Sequence, residues 1–394
     1  MAMDISRRGL LRGGLTLGCS AAAFPLMSKV TFASAPGDNR LVVIVLRGAL
    51  DGLAAVGPYT DRDYLAMRPD LATHPDRGGL DLDGRFALHG ELGGLAPLWR
   101  AGELSFVHAV STPYRDKRSH FDGQDALESG SDAQVGGLTA SRDGWLNRAL
   151  SLMPGATANT AVAVGRDSML LLDGDNPALN WSPDSDLALS PQALQLFQMI
   201  SERDPLFAAA AAEAAAIDAQ LGMEREGARK VDAHSLASLS AEMLRGESRI
   251  AAFSLGGWDT HRRQAATIRR PLGDLSDAIL TLKAELGPIW SRTTVMCVTE
   301  FGRTARQNGS EGTDHGTGGL MIYAGGTLSK AKVFGDWPGL RTSDLYEDRD
   351  LMPTDDLRRH AAWTLRELFG LKRGGLEREV FPGISMGQAT GILA

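Results

Sequence analysis

The sequence predicts an α/β fold: a mostly parallel central sheet with helices on both of its faces. Three observations carry this prediction. Residues 41–46, Leu-Val-Val-Ile-Val-Leu, form an unbroken apolar, β-branched run, the pattern of a strand covered on both faces. Shorter runs of the same kind recur at 104–107, 161–164, 169–172, 250–255, 294–298 and 320–323. Between them lie segments of helical period, and strands alternating with helices build a parallel sheet between two helical layers.

The helices follow from spacing and caps. Leu272, Leu275, Ile279, Leu282 and Leu286 recur at three- and four-residue steps, one face of an amphipathic helix. Residues 204–221 are Ala-rich and strongly helix-forming. Residues 235–244 and 356–369 read as two more helices, the second capped by Thr354 or Asp355. Residues 174–190, rich in Asp, Asn, Pro and Ser, read as a surface loop or an inserted cap.

The first 35 residues are an address rather than part of the fold. Ser6, Arg7, Arg8, Leu10, Leu11 and Arg12 fit a twin-arginine export motif, a weakly apolar run covers 13–27, and Ala33-Ser34-Ala35 offers a cleavage site. The expected layout is a signal peptide over 1–35 and an α/β domain over 36–394. The expected destination is the periplasm or the exterior, reached through the twin-arginine export machinery. That route carries folded proteins, so a metal ion could be loaded before export.

Composition removes several function classes. Of 394 residues, 41 are basic and 48 acidic, a net charge of −7, and no basic block stands out, so no nucleic-acid partner is expected. Cys19 and Cys297 are too few for a disulfide framework or a thiolate metal site. Beyond the leader no run reaches the roughly 18 apolar residues of a membrane span. A phosphate-cradling glycine loop is also missing.

Parallel sheets bind ligands beyond the C-terminal ends of their strands, and the polar residues cluster there. Asp51 follows the first strand on a glycine-flanked turn. Arg118, Ser119 and His120 follow the second. Asp259 and His261, two residues apart, follow residues 250–255; on an extended segment they share a face and can bite one ion. Glu300 ends the strand at 294–298, and Asp314 and His315 lie in a glycine loop before the next. Carboxylates mixed with imidazoles suit zinc first, and magnesium, manganese or calcium where oxygen dominates.

These motifs together carry a specific resemblance. Arg118-Ser-His-Phe121, Gly257-Trp-Asp-Thr-His261, Thr299-Glu-Phe-Gly-Arg303 and Thr313-Asp-His-Gly316 resemble the domain of unknown function 1501 family. The leader, residues 46–52 and residues 354–357 fit it as well. That family is similar in turn to the alkaline phosphatase and sulfatase superfamily of metal-dependent α/β hydrolases. The resemblance implies an alkaline phosphatase-like fold and assigns roles by position. Asp51 matches the first metal-binding Asp, Ser119 is the best-placed candidate for the nucleophile with Thr112 or Ser111 as alternatives, Asp259 and His261 match the next pair, Glu300 the following carboxylate and His315 the last imidazole. On this reading one ion sits on Asp259, His261 and His315, and a second on Asp51, Glu300 and Asp314. Arg118 or Arg303 clamps a small anionic ester, and His120 is the general acid.

Two departures stand out. Asp259 and His261 are more closely spaced than in the superfamily, and Glu300-Phe301 replaces an Asp-His pair, losing one imidazole. The expected function is an exported metal-dependent hydrolase of phosphate or sulfate esters. The alternative is a non-catalytic exported binding or assembly protein that keeps the fold and one ion.

Overall fold

The computed structural model describes residues 37–115, 118–131, 143–167, 169–181 and 232–394. The leader, the Ala-rich segment at 204–221 and the second half of the 174–190 stretch lie outside the described residues.

Within them, nine strands form one sheet: β1 (Arg40–Leu46), β2 (Leu104–Ser111), β3 (Ala161–Val164), β4 (Leu179–Trp181), β5 (Ile250–Leu255), β6 (Thr293–Val298), β7 (Gly319–Ala324), β8 (Val333–Phe334) and β9 (Asp355–Asp356). Their order is β8-β2-β7-β6-β1-β5-β3-β4, with β9 also paired to β2. All these pairings are parallel except those of β7, which runs antiparallel to both β2 and β6. The sheet is therefore mostly parallel, as the sequence predicts.

The alternation of β1 shows why its sequence is apolar throughout. Val42, Ile44 and Leu46 enter one core together with helices α5 (Ala233–Arg245) and α6 (Arg269–Leu286). Leu41, Val43 and Val45 enter the other with α4 (Trp145–Ser151) and α7 (Leu357–Phe369). Side chains of a strand alternate in direction, so a strand covered twice has no polar face. Three shorter helices frame the sheet edge that matters below: α1 (Gly52–Ala55), α2 (Arg62–Met67) and α3 (His120–Ser129). Among the described residues no helix is long and apolar enough to cross a membrane.

Two local expectations need correction. Residues 170–172 form a 3₁₀ turn rather than a strand. Leu171 and Leu172 are apolar because they are buried, and a short apolar run carries no period that tells turn from strand. The cap of α7 is Asp356, which accepts from the Arg358 amide at 2.9 Å, rather than Thr354 or Asp355. Asp355 is instead held in the β9–β2 pairing, with its carboxylate on His360 (2.9 Å) and Arg359 (2.6 Å).

Burial pushes the Asp355 carboxyl up, but hydrogen bonds from His360 and Arg359 outweigh it and hold it at about 2. A depressed carboxylate stabilises the fold above its unfolded pKa and loses that stabilisation as pH falls through its folded pKa. Asp355→Asn is therefore expected to cost about 2 kcal/mol at pH 7. Denaturant melts should show the gap to wild type closing as pH falls from about 4 towards 2.

The antiparallel sense of β7 has a consequence for chemistry. Because β7 runs backwards, the loop that precedes it stands at the edge where β1, β5 and β6 end. Four loops, after β1, β5 and β6 and before β7, so meet at one place.

Candidate metal centre

The loop after β1 sets the floor. Gly48 has φ +115, and a Cβ there would lie 2.8 Å from the Asp259 amide nitrogen, so only glycine lets this turn approach the β5 loop. Its amide donates to Glu300 Oε1 at 2.8 Å. Glu300 is fully buried at the end of β6, and the same oxygen meets His120 Nδ1 at 2.8 Å and Gln124 Nε2 at 3.3 Å. Burial pushes the Glu300 carboxyl up, but these hydrogen bonds outweigh it and hold it below its ordinary value. The hydrogen bond to Glu300 raises the pKa of His120. His120 opens α3, whose N-cap is Ser119.

Asp259 and His261 come from the β5 loop and His315 from the loop before β7. Asp259 Oδ1 lies 2.9 Å from His261 Nε2, 3.1 Å from His315 Nε2 and 2.7 Å from Arg303 Nη1. Its other oxygen, Oδ2, lies 3.5 Å from His120 Nε2. The Nε2 atoms of His261 and His315 are 3.0 Å apart. Burial pushes the Asp259 carboxyl up, but the hydrogen bond and the charge of Arg303 reverse the shift and hold it at about 2. Burial lowers the pKa of His315. Phe301 packs against two rings, 5.2 Å from that of His120 and 5.1 Å from that of His315.

The far side of each ring decides what this cluster can hold. His120 Nδ1 faces the Glu300 carboxylate, His261 Nδ1 the Asp314 carboxylate at 3.0 Å, and His315 Nδ1 the Arg118 carbonyl at 2.7 Å. Each of these partners only accepts, so each neutral ring keeps its proton on Nδ1 and turns a lone pair on Nε2 inward. With all three rings neutral, three lone pairs and a carboxylate converge. The Nε2 of His120 is buried and without a hydrogen-bond partner. A cation answers this set of donors. Imidazoles backed by carboxylates or carbonyls on the outer nitrogen are the arrangement found around bound metals. His120, Asp259 and His315 offer donor atoms within 4.8 Å of one another, a group able to hold one divalent ion, and His261 adds another imidazole beside them.

The structure redistributes the residues singled out in the sequence. Asp259, His261 and His315 stand together. His120, expected as a general acid, turns Nε2 into the same cluster and supplies an imidazole where Phe301 has none. Its signal was present: it lies in one of the motifs that carry the resemblance. Glu300 and Asp314, expected as ligands, stand behind His120 and His261 and hold their rings. Asp51 is apart from the cluster. Its Oδ2 takes Arg68 Nη1 at 2.7 Å and Gln264 Nε2, while Oδ1 caps α1. Ser119 accepts from the Asp122 amide at 3.4 Å, so its hydroxyl caps α3. Arg118 serves the cluster through its carbonyl; its guanidinium meets Glu347 at 3.0 Å and Asp350 at 3.5 Å. Arg303 is buried against Asp259. Arg68 and Gln264 carried no sequence signal, because burial of a lone Arg or Gln depends on the whole fold.

Comparisons with known proteins give the following. The lipoteichoic acid synthase LtaP from Listeria monocytogenes aligns over 90% of this chain and 78% of its own, at 11% identity and TM-score 0.42. The C-terminal periplasmic domain of EptC from Escherichia coli aligns over 91% and 89%, at 9% identity and TM-score 0.42. An alkaline phosphatase superfamily protein from Vibrio parahaemolyticus aligns over 89% and 73%, at 12% identity and TM-score 0.39. No curated protein matches the sequence. The model of the family described as protein of unknown function DUF1501 matches residues 101–379, and the chain belongs to that family.

Proposed function

We propose that this protein is an exported metal-dependent hydrolase of phosphate or sulfate esters, with a divalent ion held by His120, Asp259, His261 and His315. One observation carries the reading: three imidazole lone pairs and a carboxylate converge, each ring fixed from behind by an obligate acceptor. Nitrogen and oxygen donors of this kind suit zinc best.

Bound there, a divalent ion supplies Lewis acidity, polarising an ester oxygen and lowering the pKa of water. The protein's own groups prepare the place. Glu300, Asp314 and the Arg118 carbonyl keep the Nδ1 protons and so keep each Nε2 basic. Arg303 keeps Asp259 ionised. Phe301 covers the inner faces of two rings and excludes water from them. Asp259 and His261 have side chains 45% and 40% exposed, so an ester reaches the cluster from their side.

Ser119 is the nucleophile that the resemblance implies, and the cap it forms is a competing role. The two roles separate in one variant. If Ser119 only caps α3, Ser119→Ala costs about 1 kcal/mol and leaves turnover largely intact. If it attacks the ester, turnover of an aryl phosphate or sulfate falls by orders of magnitude while metal content holds.

A second reading keeps the ion but not the turnover: an exported binding or assembly protein. The committed guanidinium of Arg303 favours it, since Asp259 and Thr313 take all three of its nitrogens and leave none to clamp an anion. Assay of the zinc-loaded full chain against aryl phosphates and sulfates, with and without chelator, tests the hydrolase reading. Chelator-sensitive turnover supports it; metal-loaded protein without turnover supports the second reading. Export is tested separately: Arg7→Lys with Arg8→Lys should leave the protein in the cytoplasm, and periplasmic delivery of that variant contradicts the twin-arginine assignment.

A further inference from the structure

Asp51 is the residue to which the resemblance gives a metal ion, and its surroundings describe a different arrangement. The carboxylate is buried, with 1% of the side chain exposed, and its partner Arg68 is buried completely. Arg68 spends its fork on three acceptors beside the centre. Nη1 donates to Asp51 Oδ2 at 2.7 Å, Nε to the Ala305 carbonyl at 2.8 Å and Nη2 to the Thr304 carbonyl at 2.7 Å. Gln264, equally buried, donates its amide to the same Asp51 oxygen. The carbonyl oxygen of Gln264 accepts from Thr260 at 2.9 Å and from Thr313 at 2.6 Å.

We infer that the centre takes a single ion, and that the guanidinium of Arg68 fills, as a fixed cation, the place on Asp51 that a second ion would take. The inference rests on the metal reading above and concerns the number of ions rather than their presence. Charge supports it: a divalent ion at Asp51 would stand against a buried guanidinium, and like charges in a low-dielectric interior repel strongly. Geometry supports it as well. Glu300, the other carboxylate offered to a second ion, is closed off by Gly48, His120 and Gln124.

The same contacts make Arg68 a positioning residue. Thr304 and Ala305 directly follow Arg303, which grips Asp259. Thr260 lies between Asp259 and His261, and Thr313 directly precedes Asp314. Through Asp51 and Gln264, Arg68 thus ties together the loops that deliver the ligands. Unlike an ion, this cation is covalently part of the chain, so neither chelator nor dilution removes it.

The test is ion stoichiometry. The full-length protein is saturated with zinc and desalted, and its metal is counted by elemental analysis. The chelated protein is also titrated with cobalt(II), followed by its visible absorption. One ion per chain, with a cobalt endpoint at one equivalent, is expected. Asp51→Asn, and the charge-neutral double variant Asp51→Asn with Arg68→Met should the single one fold poorly, are expected to keep that one ion. Two ions per chain in the wild type overturn the inference and leave the metal reading standing. A folded Asp51→Asn variant that takes no ion even at saturating zinc overturns it too, since a positioning role weakens the site without removing a ligand. No ion at all overturns both.

Discussion

His315→Ala is expected to lose the metal under conditions in which the wild-type chain keeps it. Zinc held by four protein ligands binds with about 10–16 kcal/mol, so one ligand's share is about 3 kcal/mol, or on the order of a hundredfold in affinity. The loss goes beyond one donor here. His315 Nε2 stands 3.0 Å from the Nε2 of His261 and 3.1 Å from Asp259, so its removal opens the middle of the cluster. Zinc at a thousand times its dissociation constant should raise the unfolding free energy of the wild type by about 4 kcal/mol. A variant bound a hundredfold more weakly should gain only about 1.4 kcal/mol at the same zinc concentration. His234→Ala is the control, because that ring lies on α5 against Thr281 and away from the centre. Melting each protein with and without added zinc reads the difference, and an equal zinc shift in wild type and His315→Ala would remove His315 from the ligand set.

The second large effect concerns Arg68. Arg68→Ala leaves a buried carboxylate unpaired, and losing one partner of a buried ion pair costs about 3–5 kcal/mol. Two backbone carbonyls, of Thr304 and Ala305, lose their donor in the same step. Asp51→Asn leaves the Arg68 guanidinium as the unpaired buried charge and should cost a similar amount. Urea denaturation of the chelated proteins checks both, with chelation separating the ion pair from any metal contribution. A loss below 1 kcal/mol in Arg68→Ala would mean that Asp51 relaxes towards water or takes up a proton at little cost.

Much of the fold was legible because burial leaves a direct mark. Residues 41–46 are apolar at every position since their side chains enter both cores in turn, and the three- and four-residue steps from Leu272 to Leu286 reproduce the buried stripe of α6. The direction of β7 was not legible, because an apolar run reads the same in either sense. Its antiparallel course is nevertheless what carries His315 to the shared edge.

In the site, residue type and strand position found the right loops but not the right layer. A carboxylate at a strand end looks alike whether it binds an ion or holds the back of an imidazole, and only the distances distinguish Glu300 and Asp314 from Asp259. His120 shows the reverse. Beside Ser119 at the start of a helix it read as a proton donor, and the contact of its Nδ1 with Glu300 frees Nε2 for the cluster. The pairing of Asp51 with Arg68 was not legible, since Arg68 lies 17 residues away and nothing local marks it as buried.

X-ray absorption at the zinc edge tests the central claim most directly, on full-length protein loaded with one equivalent of zinc. The spectrum should show nitrogen and oxygen neighbours at about 2.0–2.2 Å, no sulfur near 2.3 Å, and the outer-shell scattering of at least two imidazole rings. In His315→Ala the imidazole scattering should fall. A spectrum of oxygen neighbours alone, unchanged by that substitution, would mean that zinc binds elsewhere and that the convergence of His120, Asp259, His261 and His315 is not a metal centre.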